Sequence, residues 1–572
     1  MLSSMRTVLT TLHSKYIHPS LALPLLAAYC GKSGGTLLIR EFTVHEPKEQ
    51  VLGALLAEKP DVVAFSVYLW NRRLTLELVD ALAVVRPELR VVLGGPEVSF
   101  EGPEILQRHP GIHAVIRGEG ELPLHGLLEA WQTGRSPGGV PRLTWRDGDR
   151  IHENPDGPLL AKLDDIPSPF ELGLVDLSRG FVYAETSRGC PYRCAFCMSA
   201  LDRQVRSYSL PRIERDLQLL MGRRVGQVKL VDRTFNYDPA RARRIFAFIL
   251  RHNRGSRFHF EIGGHLLDEE TLDLLEQVPP GLFQFEIGVQ STLPATLRAI
   301  DRPAALELLE KNVRRLRRRG NIHLHLDLIA GLPGEGLPEF LASIDRVAAL
   351  DPHHLQLEPV KLLPGAPLRE KATQLGLCFD PHPPYTVLST PQLDFKELEK
   401  LQGIGRLLDL TRNAGRFTGF LAALASACGS LSAGLAQLET WWRARGLFRR
   451  LLSQRELFEQ TWLFVRDTFA GPTGEMLREQ LGRDLAGIER IPPEQAPSFL
   501  DPRLDREEQQ LVREKVRRII DSLRGRGIKV QHFAAAFGHL PEFSGRRVIL
   551  FVYFTRPGRP MQVRQFPLPP VA

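Results

Sequence analysis

Cysteine is scarce in this chain, with six in 572 residues. That is too few for a disulfide framework. Long apolar runs are missing as well. No stretch of about 18 apolar residues occurs, so no membrane span is expected. Met1, Leu2, Ser3, Ser4, Met5 and Arg6 make no secretory leader, because a strand-like stretch at 7–12 follows at once with no long apolar h-region. These absences predict a reducing, cytoplasmic setting. Neither sign of charge dominates: 74 Lys and Arg against 66 Asp and Glu leave +8. Such a mild excess makes no case for a nucleic-acid partner. Internal repeats and low-complexity tracts are absent too. What is present is ample apolar material, 43% of the chain. At about 100–200 residues per domain, the length predicts three domains or so.

Three of the six cysteines sit together. Cys190, Cys194 and Cys197 form C-x3-C-x2-C in the run Glu185, Thr186, Ser187, Arg188, Gly189, Cys190, Pro191, Tyr192, Arg193, Cys194, Ala195, Phe196, Cys197. Three thiolates on one loop can hold three irons of a [4Fe–4S] cluster and leave the fourth open. A structural zinc site takes four N or S ligands, and this loop offers neither a fourth cysteine nor a histidine. Three buried thiols are the remaining alternative. Cys30, Cys378 and Cys428 are scattered in apolar surroundings and are expected to be buried free thiols.

The cysteine run, with aromatic Phe196 before its last cysteine, resembles the signature of the radical S-adenosylmethionine (SAM) superfamily. The resemblance implies that Cys190, Cys194 and Cys197 ligate the cluster. It implies that the methionyl amine and carboxylate of SAM chelate the open iron, with Phe196 beside them. An electron from an external flavodoxin- or ferredoxin-like donor then splits the sulfonium and yields a 5′-deoxyadenosyl radical.

Over residues 1–135 strand-like and helical stretches alternate: strands at 7–12, 37–44, 61–68, 90–93 and 114–117, with helices at 20–30, 48–58 and 73–84. This pattern predicts a doubly wound parallel sheet, in which ligands bind beyond the carboxyl ends of the strands. Ser66 ends one strand, Gly94 and Gly95 follow the next, and Gly118, Glu119, Gly120 and Glu121 follow the last. Glycines there allow a large flat ligand close to the backbone. The arrangement resembles the cobalamin-binding domain ahead of the barrel in one branch of radical SAM enzymes, and it assigns these seven residues to cobalamin. The D-x-H-x-x-G loop that supplies an axial histidine to cobalt is missing. His13 and His18 lie near that position with the wrong spacing, so no axial histidine is expected. A sheet that has lost the corrinoid is the alternative. A Rossmann site would want G-x-G-x-x-G after the first strand, and Thr11, Leu12, His13 and Ser14 offer no glycine.

Residues 136–170 are rich in Gly, Pro and charge and read as an inter-domain linker. The βα pattern resumes over 171–395, with strands expected at 182–185, 227–231, 258–262, 284–287, 323–329 and 354–357. The resemblance implies a partial (β/α)6 barrel. Polar residues at the carboxyl ends of barrel strands face the active site, which singles out Asp232, Glu261, Glu286, Gln290, Ser291, Asp327 and Gln356. The resemblance places Asp232 at the methionyl amine and Gln290 and Ser291 near adenosine and methionine. Glu261 is assigned to the amine or a ribose hydroxyl. For each carboxylate the competing reading is a buried ion pair with one of the many arginines. The basic run 314–319, late in a helix begun near Ala304, is read as a solvated helix end that complements the macrodipole.

Residues 396–572 show a helical period through Leu398, Leu401, Ile404, Leu407 and Leu408 and a strand-like end at 548–554. They predict a mainly helical accessory domain with a small β end. The fold class is therefore α/β: cobalamin-binding-like sheet, radical SAM barrel, helical tail. The resemblance implies cobalamin-dependent methyl transfer to an unactivated centre of a small-molecule or peptide substrate. A radical rearrangement, oxidation or cyclisation without methyl transfer is the rival within enzymes. A cluster-bearing sensor with a degenerate corrinoid domain is the rival outside them. A tRNA methylthiotransferase is excluded, since its N-terminal domain carries three further cysteines and here only Cys30 lies there.

Overall fold

A computed structural model describes residues 5–15, 18–31, 35–303, 305–523, 528–558 and 560–570. Met1 to Ser4 and Ala304, named above, lie outside these residues. The chain divides into two compact units, 1–335 with 359–394, and 336–358 with 395–572.

The first unit opens with five parallel strands, β1 (Arg6–His13), β2 (Thr36–Thr43), β3 (Val62–Ser66), β4 (Arg90–Gly94) and β5 (Ala114–Ile116), in the order β2-β1-β3-β4-β5. Except on the edge strand β2, their apolar runs are buried on both faces, as a sheet covered by helices on each side requires. The strand order reverses between β1 and β3, and the crevice beyond their carboxyl ends is where such sheets bind ligands.

The segment expected to be a linker corrects that reading. Residues Leu143–Asp147 (β6) and Arg150–Glu153 (β7) form an antiparallel hairpin on the free edge of β5. Its turn carries Gly148 at φ 56°, the left-handed conformation that a tight hairpin turn demands. Leu143 and Trp145 are buried against the sheet, and the Trp145 ring donates Nε1–H to Asn154 Oδ1 at 3.1 Å.

The barrel strands of the first unit are β8 (Phe181–Ala184), β11 (Gln227–Leu230), β12 (Arg257–Glu261), β13 (Phe283–Gln290) and β14 (His323–Ala330), all parallel. A two-residue antiparallel pair, β9 (Ser187–Arg188) and β10 (Arg206–Ser207), lies between β8 and β11. The sixth strand in chain order, β15 (His354–Pro359), falls at the division between the units. Alternation along β13 is strict, buried then half-buried, so one face meets the helices and the other lines the lumen. The outer face is aromatic. Phe246 of helix Pro239–His252 packs against Phe235, Phe260, Phe283 and Phe285 with ring centroids 5.1–5.8 Å apart. Full burial of each such ring contributes roughly 1.5–3 kcal/mol, which frees the inner face to be polar. The basic run belongs to helix Leu306–Arg319, closed by Gly320 at φ 67°. Arg315 there pairs with Glu269, Asp273 and Glu276 at the surface, in line with a solvated face.

The second unit is mainly helical. Helices Thr418–Cys428 and Leu431–Ala444 meet at 99° and bury Phe420, Leu424, Leu435, Leu438 and Trp442. By length and composition this bent pair passes a test for a membrane span, while among the described residues no single helix is long and apolar enough to cross a membrane. Three antiparallel strands, Lys529–Phe537, Arg547–Thr555 and Gln562–Pro567, make its β end. The stray cysteines divide: Cys30 is buried and burial pushes its thiol up to about 12, but Cys428 is half-buried and Cys378 exposed. The expectation for Cys378 is thereby corrected, because its two-residue strand lies at the surface.

Gly95 shows how tightly the ends of β3 and β4 interlock. It sits at φ 104°, and a Cβ there would come within 2.5 Å of the Val67 carbonyl oxygen. Gly95→Ala is expected to lower the unfolding free energy of the apo protein by about 2–3 kcal/mol, read by chemical denaturation.

Candidate functional site

The cysteine loop leaves β8 through Glu185, Thr186 and Ser187. Asp232, at the end of β11, fixes this exit. Its carboxylate is fully buried and accepts hydrogen bonds from Thr186 N at 3.0 Å and from the Thr186 and Ser187 hydroxyls at 2.5 Å. The structure thus turns Asp232 onto the loop and away from any methionyl amine, correcting its assignment as a SAM contact. Gly189, at φ 87°, has no room for a Cβ beside the Gln204 carbonyl oxygen, 2.5 Å away. Cys190 N bonds to Asp202 O at 3.0 Å, and Ala195 N to Ile300 O at 2.9 Å.

Each sulfur has one polar neighbour. Cys190 Sγ lies 3.5 Å from Thr234 Oγ1, Cys194 Sγ accepts from Arg302 Nη1 at 3.5 Å, and Cys197 Sγ accepts from Ser199 N at 3.4 Å. Burial raises the Cys194 thiol, and the Arg302 guanidinium opposes that. Three sulfurs on one loop, each beside a polar group and two of them met by an N–H donor, suit thiolate ligands of a cluster with an open iron. Phe196 is half-buried on the same loop.

The lumen beside the loop is lined by charge. Lys229 Nζ lies 3.6 Å and His259 Nε2 3.0 Å from Glu286 Oε2, and His325 Nε2 lies 3.0 Å from Asp327 Oδ1. Burial would raise Glu286, but His259 and Lys229 overcome it and bring the carboxyl down to about 2. Glu261, opposite Glu286 in register, makes no ion pair among the described residues. Burial first, then Glu286, pushes it up to about 7. Ligand atoms of His259, Glu261 and Glu286 lie within 4.8 Å of one another. That spacing would suit a cation, yet the Lys229 ammonium already supplies positive charge there. At the end of β13, Gln290 is half-buried and held at φ 71° beside a register shift, a strained conformation for a residue with a side chain. Ser291 is fully buried and donates to Glu335 Oε1 at 2.8 Å, which satisfies its hydroxyl within the protein.

At the N-terminal sheet, Ser66, Gly94, Gly95 and Gly118 gather at the carboxyl edge as expected. Gly118 N bonds to Ser99 Oγ at 3.2 Å, and Ser99 Oγ to Gly95 O at 2.8 Å. The side chains of Glu119 and Glu121, which flank Gly120, turn to the barrel. Glu119 grips Arg206 through both oxygens and lies 3.3 Å from Arg188, while Glu121 bonds to Arg188 at 2.7 Å. Both carboxylates are therefore held by barrel arginines. Sequence reasoning missed Tyr68, Trp70 and Asn71. Asn71 Nδ2 ties Leu12 O to Ser66 O across the point where strand order reverses. Trp70 donates to Leu12 O and stacks on Tyr68 at 4.6 Å and 4°, with 48% of the tryptophan exposed. The aromatic-rich run straight after β3 was the available signal. A flat apolar face beside a glycine edge fits a macrocycle. His13 Nε2 lies 3.4 Å from Glu41 and His18 Nδ1 2.9 Å from the Tyr183 hydroxyl.

The raised Glu261 predicts a pH dependence. Its neutral form is favoured in the fold, so its contribution is whole below about pH 4.5 and is lost as pH rises through about 7. Glu261→Gln is expected to remove on the order of 2–3 kcal/mol of that decline, measured as the unfolding free energy across this window.

Comparison with known proteins agrees with this architecture. A B12 binding domain model matches residues 7–128, a radical SAM superfamily model 184–347, and a model described as a protein of unknown function, DUF4080, 373–536. The cobalamin-dependent radical SAM methyltransferase TokK of Streptomyces tokunonensis is 29% identical over 56% of this chain and 50% of its own length. The uncharacterized methyltransferase PH0819 of Pyrococcus horikoshii is 28% identical over 55% of this chain and 69% of its own. The chain thus spans about half the length of the first of these relatives. The fold is similar to that of the cobalamin-dependent SAM radical enzyme OxsB with aqua-cobalamin bound, at TM-score 0.61 and 15% identity over 86% of this chain and 83% of that one. With its cysteine loop, its barrel and the sheet ahead of it, the chain carries a radical SAM domain over 184–347 and a B12 binding domain over 7–128 before it.

Proposed function

We propose that this protein is a cobalamin-dependent radical SAM methyltransferase. One observation carries the reading. The carboxyl edge of the N-terminal sheet is pinned onto the cysteine loop of the barrel by Glu121–Arg188 and Glu119–Arg206, so the two strand-end faces meet. A second tie joins the buried Glu97, after β4, to the Tyr385 hydroxyl.

When bound, the cluster and SAM supply a radical and the corrinoid supplies a transferable methyl group. The chain's own residues supply position. Cys190, Cys194 and Cys197 would hold three irons of the cluster. Glu261, with no cation of its own, is the group in the lumen placed to take the methionyl amine or a ribose hydroxyl, and Gln290 faces the same lumen from β13. Ser66, Gly94, Gly95 and Gly118, with the Tyr68–Trp70 stack, form the edge for the corrinoid. The polar lumen selects a polar substrate. Bringing both cofactors to one enclosed face holds the reacting groups together and away from water. The electron donor is an external one of flavodoxin or ferredoxin type.

Under anaerobic, reducing conditions, Cys194→Ala is expected to abolish formation of 5′-deoxyadenosine from SAM, while Cys428→Ala keeps it. Full cleavage by the Cys194 variant would refute the cluster assignment. EPR of the Co(II) protein is expected to show no coupling to a protein imidazole nitrogen. A clear histidine signal, or no retention of cobalamin at all, contradicts the corrinoid edge described here.

A further inference from the structure

Arg302 is half-buried and, like Arg241, which bonds to Thr186 O, makes no ion pair with a carboxylate among the described residues. Arg188 and Arg206 each meet two or more carboxylates. Arg302 instead directs Nη1 to Cys194 Sγ at 3.5 Å and Nη2 to the Gly288 carbonyl oxygen. A guanidinium is always charged, and leaving it half-buried against a neutral thiol and a carbonyl is costly. An anion at the cysteine loop resolves that cost. Among the described residues no carboxylate comes within ion-pair reach of Arg302: Asp327, the register partner of Gly288, feels its charge but is paired with His325, and the Tyr192 hydroxyl lies 2.9 Å from His265 Nε2.

The backbone explains how Arg302 arrives there. Helix Pro294–Ala299 ends at Ile300, whose carbonyl receives the Ala195 N–H. Asp301 then turns through φ 52°, which aims Arg302 back at Cys194. Its second nitrogen on Gly288 ties the same side chain to the register shift before Gln290. One residue thereby joins the cysteine loop to the strand end at the lumen.

We infer that Arg302 is the counter-ion of the iron–sulfur cluster and raises its reduction potential. The inference rests on the cluster assignment proposed above. Reduction takes one electron from the external donor and adds one negative charge, with no bond broken and no proton moved. A fixed positive charge on a ligating sulfur favours the more negative state, and hydrogen bonds to the sulfurs are a recognised lever on cluster potential. Arg302 is in this sense a positioning residue that acts through Cys194.

The test is a potentiometric EPR titration of the anaerobically reconstituted full chain, without SAM, after iron and sulfide have been counted. At the wild-type midpoint, Arg302→Gln is expected to show a roughly tenfold lower ratio of reduced to oxidised cluster, equivalent to about 59 mV more negative for one electron. Arg302→Lys is expected to fall much less. An unchanged midpoint in a fully loaded Arg302→Gln protein overturns the inference. So does a shift seen only once SAM is added, which would assign Arg302 to the SAM carboxylate. If the Gln variant fails to retain iron, Arg302→Lys decides: a midpoint near wild type supports the role, and a tenfold loss refutes it. A wild-type chain that binds no iron refutes the cluster assignment itself, which is a separate failure.

Discussion

Arg188 is the residue on which the first unit turns. It stands two positions before Cys190, and its half-buried guanidinium meets Glu185 from its own strand exit and Glu119 and Glu121 from the N-terminal sheet. A buried charge tolerates removal of its partners badly, at roughly 3–5 kcal/mol when a pair is broken. The geometry of the cysteine loop and the docking of the sheet are therefore set by the same side chain. A displacement of the sheet would be felt directly at the loop.

The barrel wall divides labour between its faces. Phenylalanines on the outside, around Phe246, supply cohesion, so the lumen does not need to be apolar. Lys229, His259, Glu286, His325 and Asp327 fill it with paired charge. Glu261 stands apart within this array as an acid with no ion pair among the described residues, and burial, then the neighbouring Glu286, raises its titration against the pull of Lys229 and Arg233.

Strands, helices and the cysteine triad were legible because they depend on neighbours in sequence: alternation, apolar period, turn residues and a fixed spacing. The roles of carboxylates were not, because their partners come from far along the chain. Glu119 meets Arg206 across 87 positions and Asp232 meets Thr186 across 46, and no local pattern announces either pairing. The ion pairs of Glu119 and Glu121 with Arg206 and Arg188 had no counterpart in the sequence reading, which placed both residues at the corrinoid edge. Gly95 was legible as a required glycine, but the reason lies in the Val67 backbone behind it. The β6–β7 hairpin was masked by its Gly- and charge-rich flanks, although Asp147, Gly148 and alternating Leu143, Trp145 and Ile151 carried a turn and strand signal.

The small β9–β10 pair has a consequence for how the metal arrives. Ser187 and Arg188 are joined to Ser207 and Arg206, and Asp202 O holds Cys190 N between them. The segment carrying the thiols is closed at its base by the protein alone. In small zinc modules, metal binding and folding are one event. Here the β9–β10 pair and the Cys190 N–Asp202 O bond contribute to closing the loop, so the cost of bringing the three thiols together is shared between the polypeptide and the metal they would hold.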